Sequence, residues 1–206
     1  MVSILDYGIG NIGSLLTMCR KLGLEAVAAS TPESVLEAGA LVLPGVGHFD
    51  AGMRALELSG LRSHLQEAVQ EKRTPILGIC LGMQMLADKS EEGTEAGLGF
   101  IPGRVVKFAF PDEPQRKIPN MGWLELRNIR PCSLFPDPEE ESRFYFVHSY
   151  HMLCDNLDYV VAQAYYGDWF TAAVNRNNVW GTQFHPEKSH RYGMALLKNF
   201  ARLARA

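Results

Sequence analysis

Cys80, the cysteine between two glycines in GICLG at 78–82, is the residue best placed in this sequence to act as a nucleophile. The run PILGI at 75–79 predicts a buried strand, and LGMQMLA at 81–87 predicts a helix that begins at once. So tight a turn strains its central residue, and flanking glycines give it room. The helix N-terminus favours the thiolate, the reactive form of cysteine. Taken alone, the segment is better explained by a buried structural cysteine, since free cysteine is among the most buried residue types.

A base and a carboxylate that would orient it occur together in QFHPEKS at 183–189. His185 and Glu187 are two residues apart, so their side chains share one side of an extended segment, and Pro186 favours that extended backbone. Glu187 would then accept a hydrogen bond from one imidazole nitrogen while the other nitrogen faces Cys80. A His-Pro-Glu turn means little by itself. Paired with the Gly-x-Cys-x-Gly segment, it predicts a Cys-His-Glu triad.

Two glycine-rich loops follow predicted strands. PGVG at 44–47 comes directly after a strand, where glycines let backbone amides approach a ligand, although a plain turn explains it equally well. The glycines at 8, 10 and 13 match G-x-G-x-x-G, but no acidic residue closes the second strand. A tight turn is therefore favoured over a dinucleotide site there, and the display of Asn11 to a partner stays open.

The alternation of strands and helices through residue 88 would bring these segments together. It predicts a parallel sheet with helices on both faces. Short strands, which suit an antiparallel sheet edge, and a last helix at 191–204 capped by Ser189 follow. The strands are predicted at 2–6, 25–29, 40–43, 76–79, 103–108, 123–127, 143–147, 159–165, 170–174 and 179–184. A chain of 206 residues fits a single domain, 1–206.

Composition narrows the class of protein. The net charge is -3 and no Lys/Arg-rich run occurs, which argues against a nucleic-acid partner. The four cysteines lack metal-ligand spacing, and no disulfide framework is expected in a chain this long. No signal peptide precedes the first strand and no apolar run approaches membrane-spanning length, so a cytoplasmic protein without a membrane partner is expected.

Several segments together resemble the triad-type (class I) glutamine amidotransferases. The resemblance rests on LPGVG at 43–47, GICLGMQ at 78–84 and QFHPEKS at 183–189. DYGIGN at 6–11, NMGW at 120–123 and FYFVHSYH at 144–151 narrow it to the glutaminase subunits of imidazole glycerol phosphate synthases. The sequence departs from that branch at Asn120, Leu124 and His151, where His, Asn and Tyr are commoner.

The resemblance implies a fold and a reaction. The fold would be α/β, a flavodoxin-like three-layer domain with a mostly parallel central sheet and an antiparallel extension. Cys80 would attack the side-chain amide of L-glutamine. His185 would protonate the leaving ammonia and then activate water against the thioester. Glu187 would hold His185 in the required tautomer. No metal or organic cofactor is needed.

The resemblance also implies which residues bind substrate. Backbone N–H groups of Leu81 and of the loop formed by Gly45, Val46 and Gly47 would stabilise the oxyanion. The glutamine would be held by a further set of residues, namely Gln84, His148, Ser149 and Tyr150.

A second polypeptide is implied as well. It would be a (β/α)8-barrel cyclase subunit, which forms a heterodimer with the glutaminase. It uses the ammonia to make imidazole glycerol phosphate and an aminoimidazole carboxamide ribotide (AICAR). Asn11, Tyr145 and Lys188 match positions expected at or near that interface. Without the resemblance, Lys188 reads as a solvated surface charge and Tyr145 equally as a core residue.

Three other functions remain as alternatives. The glutaminase subunit of pyridoxal phosphate synthase is also a short Cys-His-Glu chain, but YGIGN at 7–11 and EKS at 187–189 argue against it. A non-catalytic interaction module on the same fold would leave Cys80 purely structural. A thiol hydrolase or redox sensor with a similar turn would have no need for Gln84 or for the loop at 44–47.

Overall fold

The computed structural model describes residues 1–135 and 142–204. The strands, in chain order, are β1 (Val2–Leu5), β2 (Ala26–Ala29), β3 (Ala40–Gly45), β4 (Ile76–Cys80), β5 (Lys89–Ser90), β6 (Gly103–Lys107), β7 (Asn120–Glu125), β8 (Arg127–Asn128), β9 (Arg143–His148), β10 (Tyr150–Cys154), β11 (Val160–Tyr165), β12 (Trp169–Arg176) and β13 (Val179–Thr182). The helices are α1 (Ile12–Lys21), α2 (Pro32–Leu36), α3 (Phe49–Leu58), α4 (Arg62–Gln66), α5 (Leu81–Met85) and α6 (His190–Leu203).

The main sheet runs in the order β2-β1-β3-β4-β13-β12-β11-β8. Its neighbours from β2 to β13 pair in parallel, and those from β13 to β8 pair antiparallel. The parallel part has the 2-1-3-4-5 order of flavodoxin-like folds. The prediction of a flavodoxin-like domain with an antiparallel extension is confirmed. β4 lies at the centre, where the carboxyl ends of parallel strands form ligand sites.

Helices cover both faces of this sheet, because alternate residues of its strands point to opposite sides. On one face α1 and α6 pack through Leu15, Leu196 and Phe200. On the other face α2 to α5 pack through apolar side chains that include Phe49 and Leu65. Within the described parts of the chain, no helix is long and apolar enough to cross a membrane.

Three sequence predictions need correction. The strands at 103–108, 123–127 and 143–147 do not extend the edge of the main sheet, because β6 pairs with β5 and β10, and β7 pairs with β9, in two small separate sheets. The helix predicted at 81–87 ends at Met85, since residues 86–88 form a turn. The strand predicted at 179–184 ends at Thr182.

Candidate active site

Cys80 lies at the carboxyl end of the central strand β4 in a backbone conformation that few L-residues adopt. Its φ is 55° and its ψ is -109°. A Cβ atom on Gly82 would lie 1.9 Å from the Leu43 carbonyl oxygen, and one on Gly78 would lie 2.6 Å from the Gly82 carbonyl oxygen. Only glycine therefore fits on either side of this turn. The prediction of a strained turn that presents Cys80 is confirmed.

The helix that follows Cys80 contributes less to the site than the sequence predicts. α5 has five residues, so few peptide dipoles align behind the cysteine. The free N–H groups of its first turn, beginning with Leu81, remain close to the sulfur position as hydrogen-bond donors.

His185 and Glu187 form a buried pair. The His185 Nδ1 atom lies 2.8 Å from the Glu187 Oε1 atom, and the two side chains are 3% and 4% exposed. The extended geometry predicted for them is wrong, because Pro186–Lys188 form a turn of 3-10 helix. Pro186 begins that turn, which is a position proline favours in helices. The turn still brings the carboxylate to the imidazole.

The surroundings of His185 set its protonation. Burial lowers the pKa of His185, but hydrogen bonds and charge interactions with Cys80 and Glu187 outweigh burial and raise the pKa to about 9. Cys80 and His185 also line the same cavity. A cysteine beside an imidazole that a carboxylate holds from behind is the arrangement of a nucleophile with its acid and base.

Both side chains open onto a cavity of about 380 Å³. The cavity is lined by Val46, Gly47, Cys80, Leu81, Gln84, Glu92, Pro119, Val147, His148, Ser149, Tyr150 and His185. The set predicted from sequence is thus brought together, with two exceptions. Glu187 lies behind His185, and Gly45 pairs with Cys80 between the strands instead of facing the cavity. A strained cysteine, an imidazole and a pocket that both line suit nucleophilic attack on a small molecule.

Comparison with known proteins shows the family to which the chain belongs. Residues 3–204 match the family model described as glutamine amidotransferase class-I. The chain is 49% identical to imidazole glycerol phosphate synthase subunit HisH 2 of Pseudomonas aeruginosa, over 98% of this chain and 100% of that one. It is 45% identical to subunit HisH 2 of Methanococcus maripaludis, over 99% and 100% of the two chains. The chain belongs to the class-I glutamine amidotransferases, in the imidazole glycerol phosphate synthase HisH group.

Solved structures agree at the level of the fold. A crystal structure of a glutamine amidotransferase superposes with a TM-score of 0.76 and 21% identity, covering 100% of this chain and 99% of the other. A glutamine amidotransferase from Thermotoga maritima gives a TM-score of 0.71 at 17% identity, covering 100% and 98% of the two chains.

Ser189 holds the histidine of this amidotransferase in place. Its hydroxyl donates to the His185 carbonyl at 2.6 Å and accepts the Tyr145 N–H at 3.0 Å, while the His185 N–H donates to the Tyr145 carbonyl at 3.0 Å. Ser189 occupies the N-cap position of α6, as predicted, but its side chain makes no capping hydrogen bond with that helix. The hydroxyl instead ties His185 to β9.

Replacing Ser189 with alanine leaves the Tyr145 N–H and the His185 carbonyl without this partner inside the protein. We expect the free energy of unfolding to fall by about 1–3 kcal/mol. Glutaminase turnover should fall as well, because the imidazole loses its fixed position. Denaturant unfolding and glutamate release measure the two effects. Ser63→Ala, at an exposed position of α4, is the control, and equal losses in both variants would contradict this role of Ser189.

Glu92 is a cavity residue that the sequence analysis missed. Its Oε2 atom accepts the Phe49 N–H at 2.8 Å, at the start of α3. Asp50, the next residue of that helix, accepts the N–H groups of Glu95 and Thr94, which hold its pKa below the ordinary value. The acidic loop at 91–97 is thereby tied to α3. No spacing in the sequence distinguishes Glu92 from the other acidic residues of that loop.

The residues predicted at a partner interface lie outside the cavity of the amidotransferase. Asn11 is exposed and caps α1 by accepting the Ser14 N–H at 3.2 Å. Lys188 is exposed, with its Nζ atom 5.8 Å from the centre of the Tyr145 ring. Trp123, on the neighbouring strand, is 38% exposed and stacks on His190. This surface combines the aromatic rings of Tyr145 and Trp123 with the Lys188 ammonium group.

Proposed function

We propose that this chain is the glutaminase subunit of an imidazole glycerol phosphate synthase, which hydrolyses L-glutamine to L-glutamate and ammonia through a thioester on Cys80. The observation that carries the proposal is the strained Cys80, which lines a cavity beside the buried His185–Glu187 pair. Membership of the HisH group supports the same assignment.

The proposed chemistry follows the positions of these groups. The Cys80 thiolate attacks the side-chain carbonyl carbon of glutamine and forms a C–S bond. The His185 imidazolium gives its proton to the leaving nitrogen, so that ammonia departs and a γ-glutamyl thioester remains. Neutral His185 then takes a proton from water, whose oxygen attacks the thioester and restores the thiolate and glutamate. Glu187 holds the Nδ1 proton of the ring throughout.

Backbone donors are proposed to stabilise the oxyanion of both steps. The Leu81 N–H begins α5 directly after the nucleophile, and Val46 and Gly47 line the cavity beside it. The loop at 44–47 also offers a means of control. If its peptide orientation leaves the oxyanion without a second donor in the free subunit, a partner that shifts the loop raises the rate.

Glutamine carries an α-ammonium group that needs an anion, and Glu92 is the carboxylate that lines the cavity. Glu92→Gln should raise the KM for glutamine about 10- to 100-fold and change kcat little, since a hydrogen bond to a charged group is lost in ground and transition states alike. Steady-state glutaminase kinetics measure this. Glu95→Gln is the matched control, because that carboxylate lies in the same loop but pairs with Arg54. An unchanged KM in Glu92→Gln would contradict the assignment.

The proposed partner is a (β/α)8-barrel cyclase subunit that receives the ammonia. Tyr145 and Lys188, with the neighbouring Trp123, form a partly exposed surface of the kind found at interfaces, where aromatic residues are enriched. The exposed Asn11 is proposed for the same interface. The surface adjoins Glu187 and His185 along the chain, so a partner bound there would lie directly behind the triad.

Glutamate release by the purified chain, alone and with a cyclase subunit plus its nucleotide ligand, tests the proposal. We expect low release from the chain alone and a sharp rise with partner and ligand. Full release from the chain alone would keep the glutaminase and overturn the control by the loop at 44–47. No release in any mixture would overturn the function itself.

A further inference from the structure

Gln183 is a buried amide in contact with the sulfur of Cys80, and the mechanism above leaves it without a role. It is fully buried, and its Nε2 atom lies 3.8 Å from the Cys80 Sγ atom. Its Oε1 atom lies 3.1 Å from the Nε2 atom of Gln84, whose side chain is also buried. The nucleophile and a cavity-lining glutamine are thus joined through one side chain.

The direction of these hydrogen bonds is fixed by a backbone carbonyl. Gln84 Nε2 also lies 3.0 Å from the Tyr150 carbonyl oxygen, which can only accept. Gln84 must therefore turn its NH₂ group towards Tyr150, and its second N–H then meets Gln183. That contact requires the oxygen of Gln183 to face Gln84. The NH₂ group of Gln183 is consequently the part that faces the sulfur.

The Tyr150 carbonyl, which orients this series of hydrogen bonds, is itself held in place. His148 Nδ1 lies 2.8 Å from the Tyr150 oxygen, and His148 Nε2 lies 3.0 Å from the Asn120 Nδ2 atom. Burial lowers the pKa of His148 to about 3, so the ring stays neutral, with its proton on Nδ1 and its Nε2 accepting from Asn120. The Tyr150 carbonyl oxygen thus accepts from both His148 and Gln84, and on the Gln84 side each amide donates to the next group, from Gln84 to Gln183 and from Gln183 to Cys80.

An N–H group aimed at sulfur distinguishes the thiolate from the thiol. The thiol also has the Val147 carbonyl, 4.0 Å from Sγ, as an acceptor for its proton, whereas the thiolate has no proton to give. A thiolate accepts more strongly than a thiol, since hydrogen bonds with an ionised partner are stronger. Buried in this way, the donated N–H has no water competing for it.

We propose that Gln183 is a positioning residue for the nucleophile, which stabilises the Cys80 thiolate with an N–H group oriented by Gln84 and the Tyr150 carbonyl. The proposal rests on the proposed function of Cys80. The arrangement also links glutamine binding to the reactivity of Cys80. A substrate that contacts Gln84 touches the side chain that orients the Gln183 N–H group.

The test is the rate of alkylation of Cys80 by iodoacetamide as a function of pH, followed by mass spectrometry of the peptide that contains Cys80. This readout needs neither glutamine nor a partner, so it separates the role of Gln183 from the proposed function. Gln183→Leu removes the donor, Gln183→Met does so with a closer match in shape, and Gln183→Glu keeps the acceptor for Gln84 but turns a carboxylate towards the sulfur. Thermal unfolding checks that each variant is folded.

A matched control comes from the preceding residue. Thr182 is equally buried, and its hydroxyl contacts the Phe184 carbonyl at 3.3 Å but not the sulfur. Thr182→Val should therefore leave the pH midpoint of alkylation unchanged.

We expect the pH of half-maximal alkylation to rise by about one pH unit in Gln183→Leu and Gln183→Met, as loss of a hydrogen bond to a charged group predicts, and further in Gln183→Glu. Glutaminase kcat/KM at pH 7 should fall about tenfold in the first two variants and recover in part at higher pH. Folded variants with an unchanged midpoint would overturn the proposal, even if glutaminase activity fell. A moved midpoint in a chain without glutaminase activity would keep this proposal and overturn the proposed function.

Discussion

Cys80→Ala should lower glutamate release at least about 10⁴-fold, the largest single effect expected in this protein, because knocking out the nucleophile of a catalytic triad removes most of the rate enhancement. Binding of glutamine should survive, since the cavity and Glu92 remain. Glutamate release in the presence of the partner subunit measures the first effect, and equilibrium dialysis with labelled glutamine measures the second.

The matched control is Cys154→Ala. Cys154 is a partly buried cysteine of β10, and burial together with the charge of Asp155 raises the pKa of its thiol to about 12, so it stays protonated and unreactive. This variant should retain full activity. Activity that survives in Cys80→Ala, or that is lost equally in both variants, would contradict the assignment of Cys80 as nucleophile.

Replacing His185 with asparagine should lower kcat about 10³-fold or more, because both proton transfers lose their acid and base. Asparagine keeps an N–H donor for Glu187, so the loss reports the proton transfers more than packing. His64 of α4, which is half-buried and does not line the cavity, provides the control, and His64→Asn should not change kcat. A His185→Asn enzyme within tenfold of the original rate would contradict the proposed role of His185.

The pH profile tests the same residue without removing it. Because the pKa of His185 is raised to about 9, the imidazolium persists below that pH and is lost above it. The kcat/KM profile, which reports on the free enzyme, should therefore fall on its alkaline side near pH 9. Glu187→Gln removes one group that raises this pKa, so its alkaline fall should begin at a lower pH. If kcat/KM falls at the same alkaline pH in both enzymes, that fall reports the titration of a group other than His185.

The sequence predicts much of this site because short segments determine it. Gly78 and Gly82 indicate a tight turn that only glycine permits. The alternation of strands and helices implies a parallel sheet, in which the carboxyl ends of the strands lie at one edge. The pairing of β4 with both β3 and β13 then brings three distant segments to one edge. Local pattern and fold agree, which is why the cavity contains nearly all the predicted residues.

The rest depends on contacts between segments far apart in the chain. The hydroxyl of Ser189 looks like a helix cap in sequence, but tertiary contacts with Tyr145 and His185 take both of its hydrogen bonds. The sequence does not distinguish Glu92 from the other acidic residues of its loop. Its hydrogen bond with the Phe49 N–H holds it beside the cavity in the folded chain. The role of Gln183 cannot be predicted from the sequence for the same reason, because only the folded chain brings its amide to the Cys80 sulfur.

The most direct test of the account is mass spectrometry of the enzyme, quenched in acid during turnover of glutamine with its partner subunit. The account predicts a transient γ-glutamyl adduct on the peptide that contains Cys80, absent from Cys80→Ala and lost when glutamine is exhausted. Turnover with no adduct on Cys80, or with the adduct on another residue, would contradict it.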